Sequence, residues 1–416
     1  MSVNTKPMQS QQSATRNNDT RAIVIIGALF FIFGSVTWIN SVLIPYFREA
    51  FELSNFQSYF VTFAFYISYV AMAVPSAWVL KKTGFKKGMA IGLAVMAAGA
   101  LVFIPASQSS TFVIFLVGLF IQGAGLTLLQ TASNPYITIL GPAESAAKRI
   151  SVMGIANKVG GIIAPLVLGT VLFLDSDSLQ SQETASLDRV IVPYIIMAAS
   201  LVVLAFMVLR SSLPEIDTDQ EDEVVATTNT GKTSITQFPH LLLGVLAIFL
   251  YVGVEVISVD TIISYGQEQG FTLDDAKFFA SFTLGAMLVG YLIGIVTIPK
   301  YLKQDVALQI SAILGVLFTI AAILTEGYIS VLFIALLGLA NSLMWPAIWP
   351  LAIAGLGRFT KIGSSLLIMG IAGGAIIPLV YGRFTDLADA QQAYWIMVPC
   401  YLFIWFFATK GHRIRK

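Results

Sequence analysis

Long apolar runs, separated by short polar stretches, make up most of the chain. A helix needs about 20 apolar residues to cross the hydrocarbon core of a bilayer. Segments of that kind lie at 22–47, 58–80, 88–106, 112–139, 150–174, 190–210, 240–267, 276–299, 306–325, 329–354, 364–386 and 391–409. The pattern therefore predicts an all-α membrane protein with twelve transmembrane helices.

The polar stretches divide these segments into two sets. The longest, residues 211–239, leaves six segments on either side and has the acidic composition of a solvated cytoplasmic linker. Residues 1–21 are polar and lack the apolar core and cleavage site of a signal peptide, which indicates a disordered cytoplasmic tail. The predicted domains are an N-terminal six-helix half at 22–210 and a C-terminal six-helix half at 240–416.

Lysine and arginine residues collect in alternate connections between the segments. They are frequent at 81–87, at 300–303 and in the tail at 410–416, whereas residues 175–188 contain none. Because basic loops stay on the cytoplasmic side of a membrane, this pattern places both chain termini in the cytoplasm.

The two predicted halves are related in sequence. "MGIANKVGGIIAPLVLG" (153–169) resembles "MGIAGGAIIPLVYG" (369–382) once a three-residue gap is allowed, and farther upstream Gln130 stands opposite Asn341. Halves of equal helix count and equal orientation form parallel repeats, an arrangement found in transporters that alternate access to a central site. The repeat therefore favours a transporter.

Composition excludes several other classes of protein. The chain is 56% hydrophobic and 11% charged, against about 25% charged residues in soluble domains. A net charge of +1 gives no reason to expect a nucleic-acid partner, and one cysteine with two histidines leaves few ligands for a metal centre. No nucleophile constellation or catalytic pair of acids is present, so we expect neither an enzyme nor a bound cofactor.

Two acids interrupt the apolar segment "YVGVEVISVDTIISYG" (251–266), namely Glu255 and Asp260. Counted from Leu241, Glu255 lies about 21 Å along the helix, near the membrane midplane. A charged group at the centre of a membrane helix costs about 2.5–3.5 kcal/mol, so such residues are functional by default. We predict that both acids couple transport to a cation, with Glu255 as the first candidate.

Alternatives remain for each acid and for the identity of the cation. Glu255 could be a packing acid, and Asp260 could lie in water in an outer vestibule. A sodium ion at Glu255 could use the hydroxyls of Ser258 and Thr261, whereas a proton needs only one buried carboxyl. Gly253 and Gly266 would permit local unwinding that brings the two acids together.

Lys158 is the one basic residue well inside a predicted transmembrane segment. Its ammonium group could extend to the cytoplasmic headgroups, as long basic side chains do near helix ends. Otherwise it could pair with Glu255 in one state of the transport cycle, and cation binding would then break the pair.

Three stretches carry a resemblance to a known family, namely "LSNFQSYFVTFAFYISY" (53–69), "LQTASNPYITILGP" (129–142) and "GSSLLIMGIAGGAIIPLVYG" (363–382). They resemble the fucose–galactose–glucose permease group of the major facilitator superfamily, and the likeness runs from about Phe30 to Phe407. The resemblance implies the twelve-helix major facilitator fold and a multi-pass symporter of the bacterial cytoplasmic membrane that moves a monosaccharide with a cation.

The chain departs from this group at the positions that carry protons in the L-fucose permease. That permease uses one carboxylate on its first helix and one on its fourth, and the matching residues here are Ser41 and Gln130. Neither side chain can exchange a proton near neutral pH. The resemblance therefore does not transfer the proton relay, and the departure favours sodium slightly over the proton.

A sugar site needs amides for the hydroxyl groups and an aromatic ring for the apolar face of the pyranose. Hydrogen-bonding sites discriminate well because a missing hydroxyl strands a buried polar group. The candidates for sugar contact are Asn40, Gln130, Asn134, Asn157, Asn341, Trp38, Trp345 and Trp349. Each candidate also has an alternative role. Buried amides can join helices by hydrogen bonds, and Asn134 can satisfy the backbone carbonyls freed by Pro135. Tryptophan also collects at membrane interfaces.

The sequence thus predicts a secondary active transporter that takes up a hexose or hexosamine with Na⁺ or H⁺ by alternating access. We expect it to be a monomer whose partners are its sugar and the membrane lipid. An uncoupled facilitator, or an exporter of a small organic molecule, is the alternative, because neither would need an acid at the midplane.

Overall fold

The computed structural model describes residues 8–139, 146–172, 187–211, 213, 234–298 and 300–415. Within these ranges the side chains at 8–22, 134–139, 146–151, 358 and 361 are not described. The described residues form helices joined by turns and short loops, without a strand. This agrees with the predicted all-α class.

Eight α-helices precede the linker in the described ranges. They are α1 (Met8–Trp38), α2 (Asn40–Ala50), α3 (Asn55–Ser58), α4 (Phe60–Leu101), α5 (Phe103–Gln108), α6 (Phe112–Ile139), α7 (Ala146–Leu172) and α8 (Ile191–Arg210).

Among the described residues, eleven α-helices follow the linker. They are α9 (Pro239–Asp260), α10 (Ile262–Glu268), α11 (Leu273–Ala276), α12 (Phe279–Thr297), α13 (Gln304–Leu324), α14 (Gly327–Asn341), α15 (Met344–Ile353), α16 (Thr360–Met369), α17 (Gly373–Leu387), α18 (Ala390–Ala393) and α19 (Met397–Thr409). Residues 212 and 214–233 of the predicted linker lie outside the described ranges, so the domain boundaries stay a prediction.

The described residues contain eleven apolar stretches long enough to cross a membrane. The longest, Phe60–Gln108, has 49 residues, which as a helix would extend about 74 Å across a hydrocarbon core of about 30 Å. Gly84 interrupts it with φ 75° and ψ 171°, a conformation that glycine adopts without a steric penalty. The stretch is therefore two spans, and the prediction of twelve transmembrane helices is confirmed.

The internal repeat is visible in how helices pack within each half. Gly160 on α7 lies against the backbone carbonyl of Phe31 on α1, and Gly373 on α17 lies against that of Phe249 on α9. The two glycines occupy equivalent positions of the sequence repeat. A β-carbon would overlap the carbonyl in both places, so glycine permits the same close helix crossing in each half.

The first long helix of each half is divided in two. Ile39 separates α1 from α2, and Thr261 separates α9 from α10. Trp38 and Asn40 therefore flank one interruption, and Asp260 adjoins the other. Broken membrane helices of this kind commonly surround substrate and ion sites in transporters.

The interruption in the C-terminal half differs from the predicted one. Gly253 and Gly266 were the expected sites of unwinding, but both have a packing role. Gly253 lies against the side chain of Ile377, and Gly266 lies against the ring of Phe279.

Candidate functional site

A buried ion pair joins the two halves. Lys158 Nζ on α7 lies 3.0 Å from Glu255 Oε1 on α9. The two residues are 5% and 8% exposed, respectively. Lys158 therefore does not extend to the headgroups, and the contact considered in the sequence analysis is present. Its role in coupling stays a prediction.

Aromatic side chains enclose this ion pair from both halves. The ring of Trp38 lies over Lys158 with its centroid 4.6 Å from Nζ, and Gly161 leaves room for that ring. One helical turn before Glu255, the hydroxyl of Tyr251 interacts with the glutamate side chain. A desolvated cation over a tryptophan ring gains about 2 kcal/mol. The rings thus stabilise the ammonium group and exclude water from it.

The candidate tryptophans of the C-terminal half lie beside this enclosure. The rings of Trp345 and Trp349 on α15 are 5.3 Å apart between centroids, and Trp345 is 6.4 Å from Tyr251. Both tryptophans are half-buried. An aromatic series therefore runs from the ion pair along α15, where a sugar ring could stack.

Asn341 is held in a network of hydrogen bonds between helices. Its amide nitrogen donates to the Ser258 hydroxyl at 3.2 Å, and the Tyr401 hydroxyl donates to its carbonyl oxygen at 2.9 Å. Ser258 in turn donates to the backbone carbonyl of Glu255 at 2.7 Å. These contacts join α9, α14 and α19, which favours the helix-packing alternative for Asn341.

Asp260 has a different environment from Glu255. Its side chain is fully buried, and neither carboxylate oxygen has a hydrogen-bond partner among the described residues. The expected alternative of a wet vestibule is therefore wrong in this structure. Glu255 on the same helix, Tyr66 on α4 and Tyr59 just before α4 lie within electrostatic range of the aspartate.

Polar atoms without partners also occur at the interruption of the first helix. Asn40 is fully buried, and neither atom of its amide is hydrogen-bonded within the described part of the chain. The indole nitrogen of Trp38 also has no described partner. Buried polar groups are normally paired, so these atoms are available to the hydroxyl groups of a ligand.

The remaining amide candidates fall into two groups. Gln130 is half-buried and hydrogen-bonds Tyr69, and Asn157 is half-buried next to Lys158. The side chain of Asn134 lies outside the described residues. Asn157 and Lys158 belong to the three residues that the C-terminal repeat lacks, so this stretch distinguishes the two halves.

The hydroxyl groups invoked for a sodium site are already engaged. Ser258 belongs to the Asn341 network. Thr261 donates to the carbonyl of Ile257 at 2.8 Å and lies 2.7 Å from the Tyr394 hydroxyl. The described residues also contain no cluster of three or more histidine, cysteine or acidic side chains suited to a metal ion.

The sequence analysis missed a second set of contacts between the halves. Asp386 accepts hydrogen bonds from the backbone N–H groups of Asn55 at 2.9 Å and Phe56 at 3.0 Å. Arg48 lies 3.8 Å from Glu268. We call this region, residues 48–59, 268–273 and 386–390, the corner end.

One signal for the corner end was present in the sequence. Ser54 and Gln57 form a capping box at the start of α3, and that motif could have located the helix terminus. The contact of Asp386 with the start of α3 could not have been found from the sequence, because Asp386 lies 331 residues from Asn55.

Comparison with known proteins agrees with this architecture. Residues 25–378 match the family model described as Major Facilitator Superfamily. The chain is 33% identical to the "Glucose/galactose transporter" of Brucella abortus biovar 1 (strain 9-941), covering 98% of both proteins. It is 31% identical to the "L-fucose-proton symporter" of Escherichia coli (strain K12), covering 92% of this chain and 91% of that one.

A solved structure is similar over almost the whole chain. It is the crystal structure of the transporter FucP in the outward conformation, with a TM-score of 0.70, 29% sequence identity and coverage of 95% of this chain and 98% of that one. The predicted twelve-helix fold and the resemblance to the fucose–galactose–glucose permease group are confirmed. The chain belongs to the Major Facilitator Superfamily, a family of multi-pass membrane transporters rather than enzymes.

Proposed function

We propose that this protein is a symporter of the bacterial cytoplasmic membrane that takes up a neutral monosaccharide together with a monovalent cation. The observation that carries the proposal is the buried Lys158–Glu255 ion pair between the two halves. An uncoupled channel or facilitator has no need for buried charges at that interface. The printed names of the relatives, glucose/galactose transporter and L-fucose-proton symporter, support a sugar as the substrate.

The sugar binds beside the ion pair, between the halves. Trp38 and Trp345 offer ring faces there, and the unpaired amide of Asn40 offers a donor and an acceptor. Gln130 and Asn157, both half-buried, supply further amides. Hydroxyl groups of a hexose or hexosamine pair with the Asn40 amide and the Trp38 indole nitrogen, which explains why these atoms are buried without protein partners.

Alternating access requires the ion pair to form and break. Lys158 and Glu255 belong to different halves, so rocking of one half against the other changes the distance between them. A ligand can shift such an equilibrium only by binding one state better than the other. A sugar and a cation bound next to the pair contact it differently when it is formed and when it is broken, so their binding can shift this equilibrium.

The proton is the cation that the contacts favour. The hydroxyls of Ser258 and Thr261 each donate one hydrogen bond and have a second polar neighbour, so at most one lone pair on each is left for a sodium ion. Two of the relatives are named proton symporters. Glu255 and Asp260 are the acids that we propose for coupling, in place of the carboxylates absent at Ser41 and Gln130.

The corner end faces the outside in this proposal. The basic loops at 81–87 and 300–303 lie between spans in the positions that the positive-inside rule assigns to the cytoplasm. The corner end follows the first span of each half and is therefore opposite to them. Its contacts between the halves then close the outer side of the transporter.

The test is uptake by purified protein in proteoliposomes, using radiolabelled glucose, galactose, mannose and N-acetylglucosamine. We expect counterflow of at least one of these sugars, and accumulation under an inward proton gradient. Accumulation that follows sodium and ignores the proton gradient would overturn the proton assignment. Counterflow without accumulation under either gradient would establish the uncoupled facilitator instead.

Exchange of the paired charges tests the role of the ion pair. Lys158→Glu alone places two acids together and should abolish transport. The double variant with Glu255→Lys restores an oppositely charged pair and should recover part of the counterflow. A double variant that folds and inserts but stays as inactive as the single one would contradict the proposed pairing.

A further inference from the structure

Glu255 and Asp260 lie on the same helix, yet only one of them has a counterion. Glu255 is 3.0 Å from Lys158. Asp260 is fully buried, and no lysine or arginine is among the groups within its electrostatic range in the described structure, which are Glu255, Tyr66 and Tyr59. The described structure thus provides a counterion for Glu255 and none for Asp260.

A lone carboxylate cannot stay ionised in such a place. Transfer of an unpaired charge from water to a medium of low dielectric costs far more than a folded protein can compensate, and the group neutralises instead. Neutralisation needs a proton or another bound cation. In this structure, where the corner end is in contact, the aspartate must therefore hold a cation that the chain itself does not supply.

A second unpaired group lies farther along the chain. Ser264 is buried, and its hydroxyl has no hydrogen-bond partner among the described residues. Ser264 follows Asp260 by four residues, but the helix is interrupted between them at Thr261. The aspartate and the serine make no hydrogen bond with each other, so they are two separate unpaired groups next to the interruption.

The surroundings of Asp260 offer few ligands for a sodium ion. No described residue hydrogen-bonds its two carboxylate oxygens, and the neighbouring Thr261 hydroxyl is already hydrogen-bonded to the Ile257 carbonyl and next to the Tyr394 hydroxyl. A proton needs only the carboxylate. The chemistry of the free groups favours a proton.

We propose that Asp260, rather than Glu255, carries the transported proton. This inference rests on the proposed symport function and divides the roles of its two acids. The Asp260 carboxylate takes up a proton from the outer side and returns it on the cytoplasmic side, with no other bond made or broken. Protonation removes the second negative charge beside Glu255, so Lys158 is left with one acid to neutralise.

The first test compares Asp260→Asn with the wild-type protein in proteoliposomes loaded with D-glucose or D-galactose. The asparagine imitates the neutral acid in every state, so sugar counterflow should be kept while proton-driven accumulation and sugar-evoked proton uptake, read by an internal pH dye, are lost. Asp274→Asn is the matched control, because that acid lies near the membrane surface and pairs with Lys277 at 2.6 Å. The control should retain both activities.

The outcomes separate this inference from the symport function itself. If the wild type accumulates sugar under a proton gradient and Asp260→Asn does so equally well, the inference is overturned and the symporter stands. If the wild type moves no sugar, the proposed function fails and the inference fails with it. Accumulation driven by sodium in the wild type would overturn the proton as the ion at Asp260.

A spectroscopic test does not depend on the sugar. A protonated carboxyl gives a carbonyl-stretch band in the infrared that a carboxylate lacks. At neutral pH we expect this band in the wild type and in Glu255→Gln, and its loss in Asp260→Asn. A band that disappears in Glu255→Gln and persists in Asp260→Asn would assign the proton to the other acid.

Discussion

The two halves meet through charged groups in two regions of different character. At the centre, Lys158 and Glu255 form an ion pair from which water is excluded. At the corner end, Asp386 accepts from two exposed backbone N–H groups, and Arg48 and Glu268 are each about one-third exposed. A buried pair is expensive to break and an exposed one contributes little. The centre therefore determines which arrangements of the halves are favourable, and the corner end adjusts how often one side opens.

The centre gains specificity from its charges rather than much stability. Desolvation of two ions offsets most of their attraction, so a buried pair is weak evidence for a stable fold. Loss of one partner is different, since it leaves the other charge buried alone. The pair thus restricts the halves to arrangements in which Lys158 has an acid beside it, which suits a transporter that must avoid leaks.

The largest effect is expected from Lys158→Met. This change leaves Glu255 buried without a counterion and should lower the free energy of unfolding by about 3–5 kcal/mol. Unfolding of the purified protein in mixed detergent would measure it. The double variant with Glu255→Leu should regain most of the loss, because an apolar pair of similar size replaces both ions.

Lys277→Met is the matched control for this change. Lys277 pairs with Asp274 at 2.6 Å on a more exposed surface, with 16% of the lysine and 33% of the aspartate side chain exposed. Such a pair contributes about 0–1 kcal/mol. Equal losses for the two lysine variants would show that burial at the centre has no special cost and would remove the contrast between the regions.

A smaller effect is expected from Asp386→Ala at the corner end. The change removes the acceptor for the N–H groups of Asn55 and Phe56 and leaves both without that partner. Loss of such a cap costs about 0.5–2 kcal/mol. This should populate the open corner end about 2- to 30-fold more often. Global unfolding should change far less than in Lys158→Met.

Thiol labelling can measure this opening. Cys400 is the single cysteine of the chain, so a Cys400→Ser background makes a new cysteine unique. Ser58 is 1% exposed at the corner end, and Ser58→Cys should react faster with a maleimide when Asp386 is replaced. Asp389→Ala is the control, since Asp389 caps Gln392 at 2.7 Å within its own half. Equal acceleration by both would mean that Asp386 does not hold the halves together.

The sequence predicted the fold because the signals for it are local. Apolar runs, basic loops and the repeat each depend on neighbouring residues, and the glycines at 160 and 373 even mark equivalent helix crossings. The possibility that Lys158 pairs with Glu255 also came from the sequence, because a membrane interior leaves a base few alternatives. A charged residue inside a membrane helix is rare, so its presence in the sequence already indicates a functional site with a charged partner.

The rest of the site depends on contacts between distant residues. The sequence could not show that Tyr401 and Ser258 occupy the amide of Asn341, because a free and an occupied asparagine look alike in sequence. The alternative that put Asp260 in an outer vestibule rested on its depth along the helix, which says nothing about which face is covered. Only the packing of the other half decides that.

The smallest effect concerns pH and the Arg48–Glu268 pair at the corner end. Burial raises the pKa of Glu268 above its ordinary value, and the Arg48 guanidinium opposes the shift only in part. When the corner end opens, the carboxyl meets water and its pKa returns toward normal. Closing then takes up a proton. The closed state is therefore stabilised as the pH falls through the interval between the two pKa values, and this stabilisation is lost as the pH rises above it. Labelling of the Ser58→Cys thiol across that interval should therefore slow at lower pH beyond the change due to the thiol itself.

Glu268→Gln removes the titrating group and should leave only the pH dependence of the thiol, which is common to both proteins and cancels in their ratio. Glu52→Gln is the matched control, because Glu52 is an exposed acid at the same end of the bundle. If the ratio of the labelling rates of Glu268→Gln and its parent does not change with pH, the corner end closes without taking up a proton there. Proton binding would then be confined to the centre, and the two regions would differ in chemistry as well as in energy.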